Sequence, residues 1–534
     1  MDLFPVKSTF APDDVVELVA RSLPTGRLVV SRGGSVVVDE PFDGDDHVVL
    51  GCFPAGGYAV TLDPHDGSGP YGAPLAATAF DVLASPRQRP RYGFVSEFGP
   101  ERDDVTETLD SLRRLHVNVV QFYDWAYEHA ELVAPDDSEF VDACGRLLSQ
   151  GTARRLIEGC RHIGALSMGY AAVYGVGHEY AKAHPDELLY HRDGSPWALA
   201  DLLEIGNLAE GNAWRAHIIR EFVDAVSSLG FDGLHLDTYG SPKLAWDVEG
   251  RVVDIAAVFP GFLGDVREAL PEATLFFNNV NDYPTWTSAS APLDSTYIEV
   301  WDPHTDYAHL RALVLGALGR TPGRPVVLAA YLTAFGVADD EAARWSARLA
   351  LSTAFAHGAH YLLVGENGGV LTHPYYPNFA RPGRESREVL RRWFDFAVAQ
   401  GDLLYAADSV DVTHSHFSSS ENDDLAVTAT VPVSPDPAPG SVWVTMKRVP
   451  GASTIHLVDL TAQDSPVWNV PKTPGTLAEG VTVRLRTDAA TAYVGSPEAG
   501  PHLREVTGVR EGDHLVVEVP PFTAWCLVHV PDSD

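Results

Sequence analysis

Between about residues 91 and 404 the sequence alternates strand-like with helix-like segments, and no other feature restricts the fold as strongly. Short apolar runs read as strands at Tyr92–Phe98, Val117–Trp125, Ala165–Tyr174, Gly233–Tyr239, Thr274–Asn281, Thr296–Trp301, Pro325–Leu332 and Tyr361–Glu366. Amphipathic runs of helical period lie between most of them. In DDVTETLDSLRRLH, acidic residues open the first turn and Val105, Leu109, Leu112 and Leu115 recur at helical spacing. AWRAHIIREFVDAVSSL, GFLGDVREAL, YAHLRALVLGAL, DEAARWSARLALSTAFAHG and SREVLRRWFDFAVAQ behave alike. Eight strands alternating with helices over this length predict a (β/α)8 TIM barrel. A doubly wound sheet is the alternative, but no G-x-G-x-x-G follows the first strand.

The flanks have a different texture. Residues 1–88 carry short apolar runs (Arg27–Val30, Ser35–Val38, Tyr58–Leu62) separated by turn-rich FDGDD and DPHDGSGPYG. Such spacing predicts an N-terminal immunoglobulin-like β-sandwich. Ser85–Pro90 (SPRQRP) reads as a linker, which puts the barrel at 89–404. From 405 to 534 the helical period disappears, and LAVTATVPV, SVWVTMKRV, STIHLVDL and HLVVEVPPFTAWCLVHV predict a C-terminal antiparallel β-domain. No repeat of fixed period occurs, and the one biased stretch is SSSENDD at 418–424. A chain of 534 residues exceeds what one hydrophobic core supports, in keeping with three domains.

Composition excludes some partners. The net charge of −35 repels nucleic acid, and no basic run with interleaved aromatics offsets it. A neutral oligo- or polysaccharide is not penalised by that field. No stretch approaches the roughly 20 apolar residues of a membrane span. Met1–Asp14 lacks an export pattern, so a cytoplasmic protein is expected. Cys52, Cys144, Cys160 and Cys526 are scattered and read as packing residues. The 21 histidines form no H-x-H at a barrel strand end and no H-E-x-x-H, so neither a metal nor another cofactor is expected. Oligomeric state is not legible.

Barrel enzymes do their chemistry at the C-terminal strand ends. The fourth strand reads GLHLDTYG, and period-2 alternation puts His235, Asp237 and Tyr239 on one face. Asp237 is placed either as a nucleophile or as a cap for the following loop. The sixth strand reads STYIEVWD, with Tyr297, Glu299 and Trp301 on one face and Asp302 following. A carboxyl between aromatics inside a barrel must be paired or protonated, and an apolar wall raises its pKa as a general acid requires. A structural ion pair is the bland alternative. The second strand ends Gln121-Phe-Tyr123-Asp124-Trp125, the fifth ends with Asn279 and Asn281, and the eighth ends at Glu366, before Tyr375 and Tyr376. Aromatics beside amides and carboxylates suit a pyranose, which has apolar faces and a rim of hydroxyls. Two carboxylates on strand ends of one barrel suggest glycoside chemistry.

VNVVQFYDWAYEH (117–129), GFDGLHLDTYG (230–240), FFNNVNDY (276–283), STYIEVWDP (295–303) and ENGGVLTHPYYPNFA (366–380) together resemble glycoside hydrolase family 66. That family comprises endo-dextranases and cycloisomaltooligosaccharide glucanotransferases, and the order of sandwich, barrel and β-domain resembles it too. The resemblance implies that the nucleophile falls on Asp237 and the acid/base on Glu299, the pair that strand parity also selects. It further implies that Tyr123, Asp124 and Trp125 contact the sugar in the cleaved subsite. The expected reaction is double displacement at an α-1,6-glucosidic bond, and the strand-end reading adds Gln121, His235, Tyr239, Asn279, Trp301, Asp302, Glu366, Tyr375 and Tyr376 as expected substrate contacts. No loop has room for the carbohydrate-binding module inserted in the glucanotransferases, which favours hydrolysis over cyclisation. Without an export pattern, imported isomaltooligosaccharides are the expected substrates more than dextran. A transglycosylase on the same substrates shares every catalytic residue, and a non-catalytic carbohydrate-binding protein shares the scaffold. A metal-dependent barrel hydrolase is the remaining rival.

Overall fold

Two of the N-terminal strands, Val16–Arg21 and Gly26–Arg32, bury alternate residues, as strands of facing sheets do. In Val16–Arg21, Val16, Leu18 and Ala20 are buried while their neighbours are partly or fully exposed. The computed structural model describes residues 2–64, 74–135, 139–418 and 422–533. Asp2–Pro5, Val16–Arg21 and His47–Gly51 form one sheet; Gly26–Arg32, Ser35–Phe42, Gly56–Asp63 and Ala76–Val82 form the other. Both contribute to one core that includes Leu18, Val30, Val60 and Phe80. Most of the predicted turn at 63–72 and part of the acidic stretch at 418–424 lie outside the described residues.

The predicted linker is a docked segment instead. Pro86–Gln88 forms a short 3-10 helix, Arg87 Nε donates to Thr274 Oγ1 at 2.8 Å, and Arg89 pairs with Asp402 at 2.5 Å. These contacts fasten the sandwich to the barrel wall.

The central sheet has eight parallel strands: Tyr92–Val95, Val119–Phe122, Leu166–Ala172, Gly233–Asp237, Thr274–Val280, Thr296–Glu299, Val326–Ala329 and Ala359–Tyr361. A parallel bridge from Phe94 to Gly365 closes it into a barrel. Alternation divides each strand between two layers. Tyr92, Phe94, Val119, Met168, Phe276 and Tyr297 fill the interior, whereas Phe122, Leu234, Leu236, Phe277 and Ile298 pack outward against the helices.

The helices start and stop where their sequences specify. Ala213–Leu229 begins after Asn212, whose side chain accepts from Trp214 N, and ends at Gly230 with φ 83°. Asp340–His357 is capped by Asp339 and ends at Gly358 with φ 92°. Between the fifth and sixth strands the helix is reduced to Thr285–Ser288. The eighth strand stops at Tyr361, so Glu366 lies in a 3-10 turn and not on a strand end.

After the third strand, an excursion forms a small sheet of Gly175–Val176, Ala198–Leu199 and Leu203–Ile205 that leans over the barrel mouth. The C-terminal residues form a larger and a four-stranded sheet around a core including Val444, Ile455, Leu457 and Val528. Pairing there is antiparallel except for Val433–Ser434, which runs parallel to Val442–Val449, and a lone parallel bridge between Phe417 and Leu425. Trp525 anchors this domain on the barrel helices through Phe355 and Phe396. Among the described residues, no helix is long and apolar enough to cross a membrane.

Candidate active site

Asp237 is the last residue of the fourth barrel strand and Glu299 the last of the sixth. The fifth strand runs between them, in register Leu234↔Leu275 on one side and Val280↔Glu299 on the other. Its pleat turns Asn278 inward. Asn278 Nδ2 donates to Asp237 Oδ1 at 2.7 Å and to Glu299 Oε2 at 2.9 Å. Each carboxylate has a second anchor: Tyr170 Oη donates to Asp237 Oδ2 at 2.7 Å, and Tyr331 Oη donates to Glu299 Oε1 at 2.9 Å.

Burial dominates the electrostatics. It raises both carboxyls above their ordinary range, and the charge of Glu299 raises Asp237 further, to about 7. Hydrogen bonds from Tyr170 and Asn278 oppose the rise at Asp237; those from Asn278, Tyr331 and Trp301 oppose it at Glu299. Two buried carboxyls this close hold one proton between them more readily than two charges. Burial also pushes the phenols of Tyr170 and Tyr331 well above the usual range, so both remain neutral donors. His235 is driven down to about 3 by burial and stays neutral, its Nδ1 2.9 Å from Tyr92 Oη. It shapes the pocket and is uncharged at neutral pH.

The pocket around the pair measures about 340 Å³ and includes the predicted Gln121, Tyr123, His235, Tyr239, Trp301 and Tyr376 in its lining. Tyr123 and Tyr376 stack with ring centroids 4.1 Å apart. Asp124 and Tyr375 line an adjoining cleft that shares Tyr123, Tyr170, Leu199 and Tyr239 as walls. Burial pushes Asp124 up to about 6, against the pull of Arg146 3.7 Å away. Asp302 lies in a third cleft on the other side of Trp301.

Three predicted contacts face elsewhere. Trp125 turns into the helix layer, packs on Phe231 and donates from Nε1 to Tyr170 O, because Asp124 takes φ 51° and breaks the strand's alternation. Asn279 points outward, donating to Phe277 O and Tyr297 O while its Oδ1 accepts from Ser288. Glu366 is fully buried in an ion pair with Arg102 at 2.6 Å and accepts from Ser96 N and Oγ. None of the three lines the pocket.

Sequence reading missed Asn278, Tyr170 and Tyr331. Parity could have found Asn278: Phe277 packs outward against Phe259, so its successor must face in. Leu199, which reaches the pocket from the excursion after the third strand, has no comparable local signal. Among the described residues no group of three or more His, Cys, Asp or Glu side chains is arranged to hold a metal.

A closed parallel barrel whose mouth cradles two bridged, buried carboxyls in a ring of tyrosines defines a carbohydrate-active barrel protein. The chain belongs to glycosyl hydrolase family 66, whose family profile matches residues 53–529. Two cycloisomaltooligosaccharide glucanotransferases of Niallia circulans are similar to it. One is 27% identical over 56% of this chain and 32% of its own length; the other is 22% identical over 89% and 65%. The chain thus spans about a third and just under two thirds of these relatives. A crystal structure of a Paenibacillus cycloisomaltooligosaccharide glucanotransferase with cycloisomaltoheptaose superposes with a TM-score of 0.87 at 19% identity, covering 99% of both chains. An α-L-fucosidase of Paenibacillus thiaminolyticus shares the fold more distantly, with a TM-score of 0.56 and 12% identity over 84% of this chain and all of the other.

Proposed function

We propose that this protein cleaves α-1,6-glucosidic bonds of isomaltooligosaccharides and dextran by retaining double displacement. Asp237 attacks the anomeric carbon while Glu299, protonated, gives its proton to the departing oxygen. Glu299 then deprotonates a water that releases the sugar from Asp237 with its original configuration.

The bridging Asn278 carries this reading. Both carboxylate oxygens lie within 2.9 Å of one nitrogen, so they are less than about 6 Å apart. Retaining enzymes hold their carboxyls about 5–5.5 Å apart, whereas inverting ones need about 6.5–9.5 Å to admit a water between them. The names of the similar proteins support α-1,6-linked glucans as the substrate class. They also favour a second outcome from the same glycosyl-enzyme, transfer to another sugar in place of water. Asp237 and Glu299 are both present and both hydrogen-bonded in the pocket, which speaks against a purely binding role.

The test is product analysis on isomaltooligosaccharides and dextran, with anomeric configuration followed by NMR in early turnover. α-Anomers are expected first. Initial β-anomers would overturn the double displacement, and no products from either glucan would overturn the substrate class.

A further inference from the structure

Of the 11 tryptophans, only Trp286 and Trp301 stand out as exposed among the described residues. Trp301 is a wall common to two clefts. One holds the carboxylate pair. The other, about 370 Å³, lies between Asp302 and His304 of the loop after the sixth strand and Val467, Trp468 and Asn469 of the C-terminal domain. A pocket of this size accommodates a small ligand unit.

The C-terminal segment is firmly seated there. Trp468 N donates to Thr305 O at 3.0 Å and its Nε1 to His304 O at 2.7 Å. Asn469 Oδ1 accepts from Thr333 N and Oγ1, each at 3.0 Å. The cleft therefore combines indole and valine surfaces with a carboxylate, an amide and an imidazole whose pKa burial lowers. Apolar faces beside a few polar groups suit a neutral sugar ring.

Its place relative to the acid/base gives it a direction. A general acid must reach the oxygen between the anomeric carbon and the leaving sugar, so that sugar lies on the acid's side of the scissile bond. The cleft opens two residues beyond Glu299, in the loop that continues its strand. On the opposite side, the cleft of about 190 Å³ beside Asp124 and Tyr239 is left for the donor end of the chain.

We propose that the Trp301–Trp468 cleft is the subsite for the leaving sugar and for an incoming sugar acceptor, completed by the C-terminal domain. The proposal rests on the double-displacement reading above. In transfer, a hydroxyl of the sugar held there gives its proton to Glu299 and bonds to the anomeric carbon. The bond from that carbon to Asp237 breaks and restores the carboxylate.

The experiment uses the full chain and Val467→Arg, which projects bulk and charge into the cleft, with Asn469→Ala as a second variant should the first not fold. The donor is α-isomaltosyl fluoride, whose leaving group needs no sugar subsite, and the acceptor is isomaltose. In the unaltered protein, transfer relative to hydrolysis rises with isomaltose and saturates. Either variant is expected to lower that ratio at least fivefold and to lose more kcat/KM on isomaltooligosaccharides than on the fluoride. An unchanged ratio, or equal losses on both donors, overturns the subsite. Failure of the unaltered protein to turn over the fluoride overturns the double-displacement reading itself, and the subsite with it.

Discussion

Asn278 donates to Asp237 at 2.7 Å from the same amide nitrogen that reaches Glu299, so one side chain sets the spacing of both groups. The amide also stabilises their charged forms. Asn278→Ala should therefore reduce kcat by about 10²–10³-fold, the range for losing one preorganised donor in a buried site, with a smaller change in KM. Without this hydrogen bond the carboxyls lose a contact that lowers their pKa values, so the acidic limb of the kcat/KM profile should move to higher pH. A uniformly lowered profile with unshifted limbs would mean that Asn278 serves packing alone.

The two carboxylates should separate by leaving group. Glu299→Ala loses proton donation, so hydrolysis of isomaltooligosaccharides should fall by about 10²–10⁴-fold. Activity on α-isomaltosyl fluoride should fall far less in the first step, because fluoride departs without a proton. Asp237→Ala removes the nucleophile and should abolish turnover of both donors. If the two variants responded alike to the fluoride, the division of roles would be wrong.

Much of the barrel was legible because its two periods differ: interior and exterior residues alternate along strands, and apolar stripes recur every three or four residues along helices. Asp237 and Glu299 emerged by the same rule. Parity fails where the backbone leaves the strand, as at Asp124 with φ 51°, and Trp125 was misplaced for that reason. At the end of the fifth strand, alternation from the outward Phe277 selects Asn278, not Asn279. Glu366 was placed on a strand that ends at Tyr361. Leu199 and Trp468 reach the mouth from an inserted sheet and from another domain, contacts between distant segments that local pattern does not encode.

The raised pKa of Asp237 has a consequence for stability. In the unfolded chain its carboxyl titrates near 3.9; in the fold burial and the charge of Glu299 hold it at about 7. Between those values the folded state binds more protons than the unfolded state, so this group's contribution to stability falls as pH rises through that window. Asp124, raised by burial to about 6, acts in the same direction over a narrower range. Asp237→Asn removes the buried charge and should raise the melting temperature at pH 8 by about 2–5 °C, with activity lost. The gain should vanish near pH 4, where the native carboxyl is already protonated. Melting curves of the two proteins across this range decide it; a constant difference at every pH would assign the effect to packing.

Glu366 provides the opposite case, a buried carboxyl whose partner is structural. Its ion pair with Arg102 is 2.6 Å long, and Arg102 also holds Asp104 at 2.8 Å and Thr108 Oγ1 at 2.6 Å, tying the 3-10 turn after the eighth strand to the helix Val105–Arg114. Removing one partner of such a pair leaves a charge uncompensated away from water, which costs about 3–5 kcal/mol. Arg102→Ala should therefore lower the urea midpoint of the barrel's transition sharply. Replacing both residues with leucine should cost less than Arg102→Ala, because neither charge remains buried alone. Glu366→Gln keeps the shape of the side chain, and because Glu366 does not line the sugar pocket, its KM for isomaltooligosaccharides should match that of the unaltered protein. A raised KM in that variant, with stability intact, would return Glu366 to the substrate and contradict the ion-pair assignment.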